Sequence, residues 1–164
     1  MSDKKTFNLY NSYAKELHEI SEKCIPTGFK QAEFLLKNYD LAEKLGFTKD
    51  FLDSKKCLNI FSGNSLLKNS QPIAQGYSGH QFGHFNPQLG DGRAILLGEI
   101  NDMDVQLKGI GQTPYSKRGD GKSALGPVLR EYMISEFMHA VKIPTTRSLF
   151  ALKTNENVMR ETEL

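Results

Sequence analysis

Apolar and polar residues alternate strictly from Met103 to Lys108, so Met103, Val105 and Leu107 share one face of a predicted strand and Asp104, Gln106 and Lys108 the other. A short apolar run, Arg93 to Leu97, precedes it directly after a glycine turn. The intervening GEIND has the length and composition of a hairpin loop. A loop rich in glycine and charge, GIGQTPYSKRGDGKSALG, then leads to a helix beginning near Pro127, where proline suits the first turn, and running to about Lys142. On that helix Leu125, Val128, Leu129, Tyr132, Met133 and Ala140 fall on one broad face. Beyond Pro144, TRSLFAL and NVMRETEL read as two strands joined at Thr154–Asn157.

Upstream the pattern is less regular. Ser12 to Cys24 reads as a helix ended by Pro26 and Gly28. After the apolar run Ala32–Leu36, Asp40 is placed to cap a short helix that Gly46 closes, and a further helical piece spans Lys55 to Ser62. The composition changes at residue 71. Gly76, Gly79, Gly83, Gly90 and Gly92 crowd one stretch, and such a density implies turns and a ligand held against main chain. These shifts suggest a mixed α/β extension over residues 1–70 and a functional domain over 71–164.

Composition narrows the class. A chain of 164 residues with 38% hydrophobic and 24% charged residues fits one ordinary globular domain. A net charge of +2 offers no electrostatic case for nucleic acid as a partner. No apolar run approaches the roughly 20 residues needed to span a bilayer. The first twenty residues lack the apolar core of a secretion signal and carry acids that a transit peptide avoids. Cys24 and Cys57 are far apart and read as reduced structural thiols. A soluble, cytoplasmic protein is expected, and the excess of lysine over arginine points to a bacterial source.

The order of parts over residues 88–140 is a glycine turn, a strand, a hairpin, a strand ending in lysine, a loop, and a helix bearing glutamate. This is the order found in the small lobe of a protein kinase, where turn amides approach phosphate oxygens, the lysine neutralises their charge, and the helical carboxylate positions the lysine. By pattern alone the match is incomplete: Gly90-Asp91-Gly92-Arg93 lacks a third glycine, and Lys108 sits in VQLK. Competing readings are local. Glu136 projects nearer the centre of the apolar helix face than Glu131 and there needs a partner. GDGKS at 119–123 resembles the end of a phosphate-binding P-loop, but Ser116 stands where its first glycine belongs. His80 and His84 invite a metal reading, but no third ligand is evident, and structural histidines beneath the glycine loop are the expectation.

Three long segments carry a specific resemblance: PIAQGYSGHQFGHFNPQLGDGRAILLGE, DVQLKGIGQTPYSKRGDGKSALGPVLREYMISE and IPTTRSL. They resemble the hallmark stretches of the selenoprotein O family, closely from about residue 71 to 151 and more loosely upstream. The resemblance implies an α+β fold: a protein kinase-like small lobe of antiparallel sheet plus a helix carrying the lysine-pairing glutamate, with the large lobe absent from this chain. It implies ATP bound upside down relative to ordinary kinases, with magnesium, and transfer of AMP to Ser, Thr or Tyr hydroxyls of protein substrates. Position by position, it assigns nucleotide contacts to Gly90, Gly92, Arg93, Lys108, Asp120 and Gly121, and the support of Lys108 to Glu131. The family's catalytic aspartate, two later arginines and magnesium-holding Asn and Asp have no counterparts here. The chain is therefore expected to hold no catalytic or metal-ligating residue and to be inactive alone. A lobe cut from its partner exposes apolar surface, so self-association is a further expectation. The alternatives are a non-catalytic nucleotide- or protein-binding module and an unrelated P-loop phosphotransferase gripping phosphate through Lys122.

Overall fold

The computed structural model describes residues 9–158 and 160. In chain order its elements are α1 (Ser12–Glu16), β1 (Ser21–Lys23), β2 (Ala32–Lys37), α2 (Tyr39–Lys44), α3 (Lys49–Leu52), α4 (Lys55–Phe61), β3 (Ile73–Gln81), β4 (His84–Gly90), β5 (Ala94–Ile100), β6 (Met103–Lys108), α5 (Leu125–Ala140) and β7 (Phe150–Thr154). The architecture is α+β with antiparallel sheets. It forms two compact units, each discontinuous in sequence and each drawing on both sides of residue 70: the chain up to Gly28 with Gly63–Lys122, and Phe29–Ser62 with the chain from Ser123 on.

The first unit is a sheet in the order β1-β3-β5-β6, with β4 added to β3. Its centre is β5, where Ala94, Ile95, Leu96 and Leu97 are all buried, as is Ile100. Burial on both faces of one strand is why its sequence reads as a continuous apolar run. The β5–β6 hairpin turns at Asn101 and Asp102, both at positive φ (50° and 60°), with Ile100 opposite Met103. The loop is thus two residues of the mirror-image type that matches strand twist, and β5 takes in Gly98, Glu99 and Ile100, which the sequence reading left to the loop. A bulge between Leu96 and Gly98 shifts the register. Gly98 (φ 132°) admits Tyr10, whose backbone pairs in both directions with Glu99. On β6, Val105 and Leu107 are buried as the alternation predicts, whereas Met103, beside the turn, stays 40% exposed.

The expected helix over Ser12–Cys24 is cut short. Only Ser12–Glu16 is α-helical, with no buried residue; a 3-10 turn follows at His18–Ile20, and Ser21–Lys23 pairs with β3. A segment without a sustained apolar face gains more from completing a sheet edge than from prolonging a helix.

In the second unit β2 and β7 form a two-stranded antiparallel ladder with Phe34 opposite Leu152. Four aromatic rings link it to the short helices: Phe34 and Phe61 each pack on Phe150 (4.9 and 4.6 Å between centroids), and Phe47 meets Phe61 edge-on at 6.1 Å. Each helix is capped by a side-chain oxygen accepting from the N3 amide: Asn38 for α2, Thr48 for α3 and Ser54 for α4. The cap of α2 is thus Asn38, and the expected cap, Asp40, lies in its first turn. β7 takes its partner from β2, not from the segment that follows it. The second expected strand, NVMRETEL, lies mostly outside the described residues, and Asn157 and Val158 are not in a strand.

α5 begins two residues before Pro127 and ends at Ala140. None of its residues is buried, and Met133, Ile134 and Phe137 are 61%, 52% and 62% exposed. Glu136 accepts from Arg147 through both carboxylate oxygens, at 2.6 Å from Nε and 2.6 Å from Nη2. The carboxylate on the apolar face of α5 thereby has its partner within this unit.

Candidate functional site

The site grows out of the β5–β6 ladder in the first unit. Ala94 stands opposite Lys108, so the turn entering β5 and the end of β6 lie side by side, and Gly109 N–H donates to Arg93 O at 2.7 Å. Because Val105 and Leu107 are buried, the pleat turns Gln106 and Lys108 to the opposite face. On the other side β4 ends at Gly90, in register with Gly76 of β3, and delivers the chain into the turn Asp91-Gly92-Arg93.

These elements border an open cleft of about 690 Å³ whose lining includes Gly90, Asp91, Gly92, Arg93, Gln106 and Lys108, with Tyr77, Tyr115 and Lys117 around them. Its ionisable lining sets three cationic side chains, Arg93, Lys108 and Lys117, against one carboxylate, Asp91. An oligoanion is the ligand such a balance favours.

Asp91 has work within the fold. Its Oδ2 accepts from Gln75 N–H at 3.2 Å and from Gln106 Nε2 at 3.3 Å, while its own N–H donates to Gln75 O at 2.9 Å. Burial pushes the Asp91 carboxyl above the ordinary carboxylate range, and the Gln75 amide and the Lys108 charge pull it back. Among the described residues the N–H groups of Gly92 and Arg93 have no backbone acceptor. They are main-chain donors of the kind that hold phosphate oxygens.

Four of the residues assigned from sequence, Gly90, Gly92, Arg93 and Lys108, therefore line one cleft. Asp120 and Gly121 do not line it. They belong to the returning loop, where Gly121 O accepts from Gly111 N–H at 3.2 Å and Asp120 Oδ1 accepts from Lys122 N–H at 2.9 Å, beside a bridge between Ile110 and Lys122. Glu131 lies on α5 in the second unit. His80 and His84 stand on the β3–β4 hairpin, with His84 in register with Gln81 and the ring of His80 packing edge-on against Phe85 at 5.5 Å. Among the described residues no three His, Cys, Asp or Glu side chains gather as a metal site.

Sequence reasoning overlooked Gln106, Tyr77, Tyr115 and Lys117. A signal for Gln106 was present, since it shares the outward face of β6 with Lys108. Tyr77 and the TPYSK segment that carries Tyr115 and Lys117 come to the cleft through the course of a strand and a loop, and no periodicity announces that.

Similarity to known proteins agrees with this chemistry. The family model described as protein adenylyltransferase SelO matches residues 5–164. Among curated relatives, proteins named protein nucleotidyltransferase YdiU from Anoxybacillus flavithermus, Bacillus cereus and Rhodopseudomonas palustris are 50%, 51% and 52% identical, each over 96% of this chain. The matched regions cover 34%, 33% and 33% of those relatives, so the chain spans about a third of their length. On a match that runs through nearly the whole chain, it belongs to the SelO family of protein adenylyltransferases.

Proposed function

We propose that this chain is the ATP-binding N-terminal part of a protein adenylyltransferase, with a kinase-like small lobe over residues 71–164 and an extension over residues 1–70, each of which contributes to both compact units. The observation that carries this reading is the convergence of the Gly90–Arg93 turn and Lys108 on one cationic cleft. The turn amides and the Arg93 and Lys108 cations would hold the triphosphate, and Glu131 would support Lys108 as the family resemblance assigns. Asp120 and Gly121 would serve by shaping the returning loop. The nucleotide lies inverted relative to ordinary kinases, which presents its α-phosphorus to the acceptor.

In the complete reaction a protein Ser, Thr or Tyr oxygen bonds to that phosphorus, the bond to the β-phosphate oxygen breaks, pyrophosphate leaves, and the hydroxyl proton passes to a base. The cleft's one carboxylate, Asp91, is engaged by Gln75 and Gln106. On this reading the base and the magnesium ligands would lie in the part of the longer relatives that this chain does not match, and this chain alone would not transfer AMP. A cytoplasmic, bacterial setting is part of this reading, and the relatives are bacterial. Exposed Met133, Ile134 and Phe137 on α5 support self-association of the isolated chain, which sedimentation would detect as concentration-dependent mass.

The same cleft, with its single engaged carboxylate, is also what a non-catalytic nucleotide-binding module would need. Calorimetric titration with ATP and magnesium tests the shared step. Lys108→Ala should weaken binding at least about tenfold, as expected for a lost charge-assisted phosphate contact. Lys122→Ala should leave it unchanged. Loss of binding through Lys122 and not Lys108 would instead support a P-loop phosphotransferase. Appending the region of a relative that this chain does not match separates the two remaining readings: appearance of AMP transfer supports the enzyme part, and continued inactivity supports the module.

A further inference from the structure

Gly90 and Gly76 face each other across the β3–β4 ladder, and neither has the positive φ that would make glycine necessary. The reason for a bare backbone is spatial. A Cβ added to Gly90 would press on the ring of Tyr115, 2.5 and 2.6 Å from its two Cδ atoms, and one added to Gly76 would lie 2.7 Å from the Tyr115 hydroxyl oxygen. Such distances exclude a side chain while the ring stays where it is. The two glycines form a flat seat, and Tyr115 occupies it.

The residues flanking Tyr115 hold the turn that follows Gly90. Thr113 Oγ1 donates to Asp91 O at 2.5 Å, and Ser116 Oγ donates to Gly92 O at 2.6 Å. Both hydroxyls are aimed by main chain: Thr113 N–H donates to Ser116 Oγ at 2.7 Å, and Tyr115 N–H donates to Thr113 Oγ1 at 3.1 Å. With its carbonyls tied back in this way, the turn is restrained in one conformation before any ligand arrives. Preorganisation of this kind raises affinity by removing an ordering cost from the binding step.

We infer that Gly90 is glycine in order to seat the ring of Tyr115, and that Thr113, Tyr115 and Ser116 form a brace positioning the Gly90–Arg93 turn for the phosphates of a nucleotide. The positioning half rests on the nucleotide reading above; the seat does not. It also differs from the sequence expectation for Gly90, in which the missing side chain makes room for the ligand.

A double-mutant cycle separates the two. Binding of ATP with magnesium is measured by calorimetry for the chain and for Gly90→Ala, Tyr115→Ala and the double variant, at a temperature where circular dichroism shows all four folded. Gly90→Ala should weaken ATP about tenfold or more in the native background and change it less than twofold in the Tyr115→Ala background, because the ring that clashes is gone. An equal loss in both backgrounds would overturn the inference, since Gly90 would then be bare for the ligand's sake. Ser116→Ala should weaken ATP several-fold and Ser116→Thr should restore it; unchanged affinity in Ser116→Ala would refute the brace. If the native chain binds no ATP, the nucleotide reading and the positioning role fall together. The seat is then decided by the melting temperatures of the same four proteins without ligand, where coupling sustains it and additivity removes it.

Discussion

The ion pair between Glu136 and Arg147 permits a worked prediction. It ties α5 to the segment entering β7, where Ser135 Oγ also meets Ser148 Oγ at 3.0 Å and Asn38 N–H donates to Leu149 O at 2.9 Å. The two side chains are 25% and 16% exposed, so water screens the pair only in part. Fully exposed pairs contribute up to about 1 kcal/mol, and well-made hydrogen bonds to charged groups about 1.5–3 kcal/mol. Two such contacts at 2.6 Å with partial exposure place the pair at about 2 kcal/mol. For a chain of 164 residues, that corresponds to a fall in Tm of about 4–8 °C on Arg147→Gln or Glu136→Gln. A cycle of both singles and the double, followed by thermal melts at neutral pH, should show strong coupling, the double losing little more than either single. Arg147 holds the Glu136 carboxyl below its ordinary value of 4.5, helped by Asn38 and the Ser148 backbone. A depressed carboxyl stabilises the fold above its unfolded pKa, so this contribution should be intact above about pH 4.5 and disappear as the pH falls through the lower folded value. Single variants that melt within 1 °C of the native chain, or losses that simply add, would refute the reasoning.

Three further outcomes follow from the geometry. Burial pushes the Cys57 thiol up to about 12 from 9.0, so the folded state keeps its proton; stability should fall as pH rises from about 9 towards 12, with part of that decline missing in Cys57→Ala, and a thiol reagent at neutral pH should label Cys57 only at the rate of unfolding. At Gly98 the φ of 132° and the Tyr10 carbonyl 2.6 Å from a would-be Cβ should make Gly98→Ala cost about 2 kcal/mol in a urea titration, and a loss under about 0.5 kcal/mol would contradict the bulge geometry. The two-residue turn at Asn101-Asp102 puts both residues at positive φ, so Asp102→Gly should raise Tm slightly; a marked fall would mean that the turn is of another type.

The elements that sequence reasoning recovered are those whose signal is local. The period of two from Met103 to Lys108 put Lys108 on the polar face of β6, because the pleat alone decides which side chains share a face. The apolar run at Arg93–Leu97 and the helix around Pro127 were legible for the same reason, as were the helix ends at Gly46 and, to within one residue, at Ser62. The local signal failed where a distant segment supplied the partner. Ser21–Lys23 became a strand because β3 offered an open edge, and β7 found β2 more than a hundred residues earlier. Asn38 displaced Asp40 as a cap because its amide also reaches Ser148 O, at 3.2 Å.

The same division runs through the site. The sequence by itself determined the chemistry available, a glycine turn, a lysine at a strand end and a glutamate-bearing helix, and its motifs carried the family, because residue types and their order are written in the chain. Tertiary structure alone decided that Gly90, Gly92, Arg93 and Lys108 line one cleft while Asp120 and Gly121 shape the loop beside it. It also decided that Glu136 answers Arg147 and that Tyr115 lies on Gly76 and Gly90. Those outcomes depend on which backbones come within a few ångströms of one another, and that distance is a property of the packed fold that no spacing along the chain encodes.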